Sequence, residues 1–135
     1  MTKPREITLT DVHFEVLELL EKNSTVTSRI TGVPTKVTEL DWCSYEKVEE
    51  PEVVIGADLL YDPAVFPDLV KLLARFSCPM YIAATIRNAA TWNEFRKLCS
   101  DEKLEIIELE YDVTKGTLFD FDRSTPIKLV QIKKS

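Results

Sequence analysis

Gly56-Ala57-Asp58-Leu59-Leu60-Tyr61-Asp62-Pro63 is the stretch that decides the fold. Val53-Val54-Ile55 runs into it, and a continuous apolar run of this kind predicts a strand buried on both faces of a parallel sheet. The run stops at a carboxylate, Asp58. Asp62-Pro63 then predicts a helix start, with Asp as the N-cap and Pro in the first helical position. Val65, Leu69, Leu72, Leu73 and Phe76 follow as a wide apolar stripe.

Working outward, Met80 to Ile86 reads as a second buried strand, and Trp92, Phe95, Leu98 and Cys99 mark the next helix. Leu104 to Tyr111 and Ile127 to Ile132 alternate as strands, joined by a polar loop through Lys115-Gly116 and Asp120 to Pro126. Upstream, Ile7 to Thr10 is a short β-rich run ending at Asp11. From Phe14 the apolar positions recur at helical spacing as far as Asn23, which suits a helix end. Thr35 to Trp42 alternates around Val37 and Leu40. Strand–helix alternation closed by a strand pair predicts one α/β unit, a doubly wound sheet with an antiparallel edge strand.

Composition narrows the functional classes. The chain has 135 residues, 44% of them apolar, enough for one α/β domain with a buried core. Its formal net charge of −6 argues against a broad phosphate-binding face, so no direct nucleic-acid contact is expected, and a basic protein partner fits better. Cys43, Cys78 and Cys99 are widely spaced and no CxxC or HxxxH pair occurs, so no metal site is expected. The residues from Met1 to Ile7 do not read as a secretory signal, and no apolar run approaches the roughly 18 residues of a membrane span. A reducing, cytoplasmic setting is the default. Glycine is scarce: only Gly32, Gly56 and Gly116 occur, where about 7% is usual, and none lies in a GxG turn.

Ligands of open α/β sheets sit beyond the carboxy ends of the strands. Four such ends carry distinctive residues. Asp11 can accept the hydroxyls of a ribose, or it can cap the helix that follows. Trp42, after Asp41, can lie flat against an adenine or pack on its neighbouring helix. Asp58 and Tyr61 can face one small volume where an amine nucleophile is oriented. Acceptors there favour the positive charge that builds on nitrogen during methyl attack. The alternative is a plain strand end, with Asp62 capping the helix and Asp58 idle. Arg87-Asn88 can contact a substrate backbone, pin neighbouring loops or lie at a solvated tip. His13 reads as a partly buried surface residue, and the cysteines read as core thiols.

The acidic residue after one strand, LDW (Leu40 to Trp42) after the next and GADLLYDP (Gly56 to Pro63) after the third resemble one family. It is the seven-strand, class I protein-lysine methyltransferases of the D/E-x-x-Y/F group. Tyr81 to Asn88, continuing through Phe95, looks most like the branch that modifies elongation factor 2. The resemblance spans about residues 7 to 132. It implies a Rossmann-like sheet, S-adenosyl-L-methionine as cofactor, and methyllysine on a protein, elongation factor 2 in that branch, as product. Position by position, it makes Asp11 the ribose carboxylate and Trp42 the neighbour of the adenine. Ala57 and Tyr61 line the cofactor. Asp58, with Tyr61, begins the motif that receives the target lysine.

In the family, a strand and a GxG-type turn precede the segment equivalent to Ile7. Here Met1 lies six residues before it, so residues 1–135 are expected to be the carboxy-terminal portion of such a domain, with the first strand and glycine loop missing. That strand is central in the family's sheet. Each buried backbone group left unpaired costs roughly 1–3 kcal/mol, against a total stability of about 5–15 kcal/mol. Three outcomes follow: direct pairing of the flanking strands, a strand supplied by another chain, or a partial gene product, which is the expectation. The chain is then a truncated methyltransferase, or a non-catalytic interaction module that keeps the fold. For the enzymatic reading, Asp11, Trp42 and the Asp58–Tyr61 turn must share one pocket.

Overall fold

The computed structural model describes residues 3–45, 48–110 and 125–135. Contacts cluster the chain into two units, residues 1–46 and residues 47–135.

The first unit is a β–α–β step. Strand β1 (Ile7–Asp11) lies parallel to β2 (Thr35–Glu39), in register from Ile7 opposite Thr35 to Asp11 opposite Glu39. Helix α1 (Phe14–Thr31) connects them. It does not end at Asn23 but continues eight residues through Ser24-Thr25-Val26-Thr27-Ser28, a run of weak helix formers. Hydroxyls in this stretch turn back on the helix. Thr25 Oγ1 donates to the Glu21 carbonyl at 3.1 Å and Thr31 Oγ1 to that of Thr27 at 2.8 Å. The true stop is Gly32, at φ 69°, whose N–H reaches the Ser28 carbonyl. Leu17, Leu20, Ser24 and Ser28 are the more buried side of α1, and the Ser28 hydroxyl accepts from the Thr35 N–H at 3.0 Å.

The second unit carries a four-stranded sheet in the order β3–β4–β6–β5. Strand β3 (Val54–Ala57) is parallel to β4 (Met80–Thr85), and β6 (Ile127–Lys134) is antiparallel both to β4 and to β5 (Leu104–Leu109). The antiparallel strand therefore lies one place in from the edge. A 3-10 turn, Pro63–Val65, leads from β3 into helix α2 (Phe66–Arg75), and helix α3 (Ala89–Asp101) joins β4 to β5. Along β4, Met80, Ile82 and Ala84 are buried and alternate with half-buried Tyr81, Ala83 and Thr85. Phe66, Leu69 and Val70 of α2 and Trp92, Phe95 and Cys99 of α3 are buried as well. Phe66 and Phe95 pack edge to face with ring centroids 5.9 Å apart.

Strand β3 departs from its expected burial. Ile55 is 79% exposed and Ala57 is exposed, while Val54 and Gly56 are half-buried. Apolar content alone suggested two covered faces. Among the described residues, however, β3 is an edge strand with period-two burial. The described strands form two sheets, one in each unit. Tyr111, Lys115, Gly116 and Asp120, assigned above to a strand end and a polar loop, lie outside the described residues.

Candidate functional site

Each candidate site residue stands at the carboxy end of a parallel strand or on the turn that follows. In the first unit, Asp11 closes β1. Its Oδ1 accepts from the Val12 N–H at 2.8 Å and the His13 N–H at 2.9 Å, and its carbonyl accepts from Leu40 N–H at 2.9 Å. The N-cap of α1 is His13, whose side chain makes no capping bond. Asp11 is thus not the cap itself but holds the two amides just ahead of the helix. These bonds use one carboxylate oxygen and leave Oδ2 outside them, so an acceptor remains for a hydroxyl. His13 is exposed rather than partly buried.

Asp41 makes the next turn. Its Oδ1 accepts from Cys43 N–H at 2.8 Å and its carbonyl from Ser44 N–H at 3.0 Å. This Asx-type turn presents the half-buried indole of Trp42 at its second position.

In the second unit, β3 ends at Ala57, and the Asp58 N–H bonds the Ala83 carbonyl at 2.8 Å, which fixes Asp58 beside β4. Asp58 has φ 54°, a left-handed conformation uncommon in residues other than glycine but tolerated by aspartate. Its carboxylate meets the Arg87 guanidinium, with Nη1 3.2 Å from Oδ1 and Nη2 3.1 Å from Oδ2. The two side chains are 52% and 59% exposed. The Arg87 hydrogen bond holds the Asp58 carboxyl below its ordinary range, and Asp58 in turn raises the affinity of Arg87 for its proton. Asp62 caps the 3-10 turn as its position predicted, accepting from Ala64 N–H at 2.9 Å.

Asp58, Leu60 and Tyr61 line an open groove of about 490 Å³. Thr85 at the end of β4, Arg87 and Asn88 on the turn that follows and Trp92 in α3 line it as well. Tyr61 is 64% exposed, whereas Trp92 is buried. Asn88 caps α3, accepting from Ala90 N–H at 2.8 Å. The structure therefore brings Asp58 and Tyr61 onto one groove and pairs the Arg87 side chain with Asp58. Asp11 and Trp42 belong to the first unit; Ala57, Asp58 and Tyr61 belong to the second. Thr85 and Trp92 were missed as groove residues. Thr85 ends a strand next to Asp58, and Trp92 is in the first turn of the following helix. The available signal was this strand–helix junction, because turns at the carboxy edge of neighbouring parallel strands line the same crevice.

The cysteines divide. Cys99 is buried and its thiol is pushed up to about 12 by desolvation, whereas Cys78 is half-buried and Cys43 is exposed, so only Cys99 is the expected core thiol. Among the described residues no cluster of three metal-ligating side chains occurs, and no helix is long and apolar enough to cross a membrane.

A family profile described as lysine methyltransferase matches residues 1–102. The human protein-lysine N-methyltransferase EEF2KMT is 30% identical over 116 residues, covering 70% of this chain and 35% of that protein. The protein-lysine N-methyltransferase EFM3 of Saccharomyces cerevisiae is 34% identical over 85 residues, covering 57% and 25%. The chain thus spans about a third or less of the length of these relatives. Among solved structures, the SAM-bound magnesium protoporphyrin IX methyltransferase of Synechocystis aligns with a TM-score of 0.62 at 13% identity, covering 95% of this chain and 59% of that one. The N-methyltransferase NodS of Bradyrhizobium japonicum, in complex with S-adenosyl-L-homocysteine, aligns at 0.61 and 12% identity, covering 96% and 66%. At these identities the likeness speaks for a shared Rossmann-like α/β fold.

Proposed function

Because this chain belongs to the lysine methyltransferase family, we propose that it serves S-adenosyl-L-methionine-dependent methylation of a protein lysine, with elongation factor 2 as substrate. Residues 1–135 would then be the carboxy-terminal portion of a class I methyltransferase domain, acting in the cytoplasm. One observation carries this reading: the Asp58 carboxylate, on a groove shared with Tyr61, already engages a side-chain cation.

The residues present fit the cofactor by donor type. Asp11 keeps an oxygen beyond its backbone bonds for ribose hydroxyls. Trp42 offers a half-buried aromatic face for an adenine, and Ala57 and Tyr61 would line the methionine side. When bound, the cofactor would supply an electrophilic methyl on a sulfonium, to pass to the lysine nitrogen as the carbon–sulfur bond breaks and S-adenosylhomocysteine departs.

Asp58 orients the amine and stabilises the charge that grows on nitrogen. It is a poor general base near neutrality, because an aspartate's ordinary pKa is only about 3.9, and Arg87 holds this one lower still before an amine arrives. Lysine's unperturbed pKa is about 10.4, so its proton must leave before attack. The open groove lets it pass to water. Tyr61, largely exposed beside Asp58, would contact the lysine's methylene chain.

The test is transfer of tritium from methyl-labelled S-adenosylmethionine to purified elongation factor 2, with wild-type chain and Asp58→Asn. Labelling of a lysine by wild type and its loss in the variant are expected. Equal labelling by both would remove Asp58 from the mechanism. The alternative, a non-catalytic interaction module, is favoured if a folded chain gives neither labelling nor cofactor binding.

A further inference from the structure

The partner that Asp58 holds in this structure is the wrong cation for methyl transfer. Both of its oxygens face the Arg87 guanidinium, at 3.2 and 3.1 Å. A fork-to-fork pair of this type uses the carboxylate edge that an incoming ammonium would also seek. We infer that Arg87 is a displaceable placeholder, competing with the target lysine for Asp58 and thereby setting how readily the groove accepts an amine. This rests on Asp58 being the amine-receiving carboxylate.

Three observations support displacement. The pair is exposed, 59% for the Arg87 side chain and 52% for that of Asp58, and a solvated ion pair of this kind is worth at most a factor of about five in an equilibrium constant. A substrate cation can therefore match it. The Arg87 backbone is held independently of the pair: its N–H bonds the Thr85 carbonyl at 3.1 Å, Ile86 N–H bonds the Pro126 carbonyl at 2.8 Å, and Asn88 caps α3. The guanidinium can swing away on its flexible side chain without undoing the turn or the helix. Asp58, by contrast, has its backbone fixed by the bond to Ala83, and its short carboxylate also hydrogen-bonds Thr85, so it keeps a partner when Arg87 leaves.

The competition has a direction that a supporting role would not produce. If Arg87 only positioned Asp58, removing it would loosen the carboxylate and weaken amine binding. If it competes, removal strengthens binding. The probe is Nα-acetyl-lysine-N-methylamide, titrated into wild type, Arg87→Gln and Arg87→Ala at low salt. The backbone amides of Asp58 and Tyr61 report by NMR, and the amide fingerprint verifies the fold of each variant. Both variants are expected to bind about three- to fivefold more tightly than wild type. Equal or weaker binding by both variants, with wild type binding, overturns the placeholder role and leaves Asp58 as amine receiver. Tighter binding by only one variant also overturns it. Binding by none of the three overturns the amine-receiving role of Asp58, and this inference with it.

Discussion

The Arg87 guanidinium grips the Asp58 carboxylate at both ends, Nη1 to Oδ1 and Nη2 to Oδ2, across 29 residues of sequence. The contact joins the turn after β3 to the turn after β4, and both turns line the groove.

Asp58 should titrate below an ordinary aspartate because Arg87 favours its charged form. A depressed folded pKa contributes stability that is present above the unfolded value, 3.8, and is lost as pH falls through the folded value. Carboxyl NMR titration should therefore show the Asp58 midpoint below 3.8 in wild type and moved upward in Arg87→Gln. A midpoint that does not move would mean the pair exerts no electrostatic hold in solution.

The backbone of Asp58 gives a second expectation. At φ 54° a β-carbon is strained unless the side chain bonds locally, as Asp and Asn can. Asp58→Ala and Asp58→Gly both remove the ion pair, but only alanine keeps the strain. The glycine variant should be the more stable by roughly 1 kcal/mol in urea unfolding, after glycine's greater unfolded-state entropy offsets part of the relief. Equal stability would mean that the left-handed conformation carries no net cost.

Gly56 has a different constraint. A β-carbon there would sit 2.5 Å from Leu59 Cδ1, so Leu59, half-buried beside the site, must shift. Because the clashing atom is the tip of a flexible side chain, Gly56→Ala should change stability by less than about 1 kcal/mol but change the amide shifts of Asp58. An unperturbed spectrum would show that Leu59 relaxes freely.

Thiol chemistry reports on the fold. Cys99 is buried with its thiol pushed up to about 12, and Cys43 is exposed. At pH 8 iodoacetamide should label Cys43 in the native protein and reach Cys99 only after denaturation, as read by peptide mass spectrometry. Rapid native labelling of Cys99 would contradict the packing of α3.

Much of the fold was legible where local chemistry and tertiary environment agree. Asp62-Pro63 capped a helical turn because both residues satisfy backbone needs within three positions. Asn23 misled, because the Ser/Thr run after it has poor helix propensity, and packing against β2 outweighed that preference. Ile55 misled for a different reason: an apolar run reports composition, whereas exposure depends on which neighbours a strand has. Asp58 was legible as a site residue from its place at a strand end. Its pairing with Arg87 was not, since no local pattern encodes a contact between residues 29 apart.

The most direct measurement is calorimetric titration of S-adenosylmethionine into the purified chain and its Asp11→Asn variant. Asparagine retains an Oδ1 acceptor for the Val12 and His13 amides but replaces the other carboxylate oxygen with a donor. Saturable heat from wild type, at least tenfold weaker binding by the variant and unchanged stability are predicted. No binding by a folded wild-type chain, or equal affinity in both, would contradict the assignment.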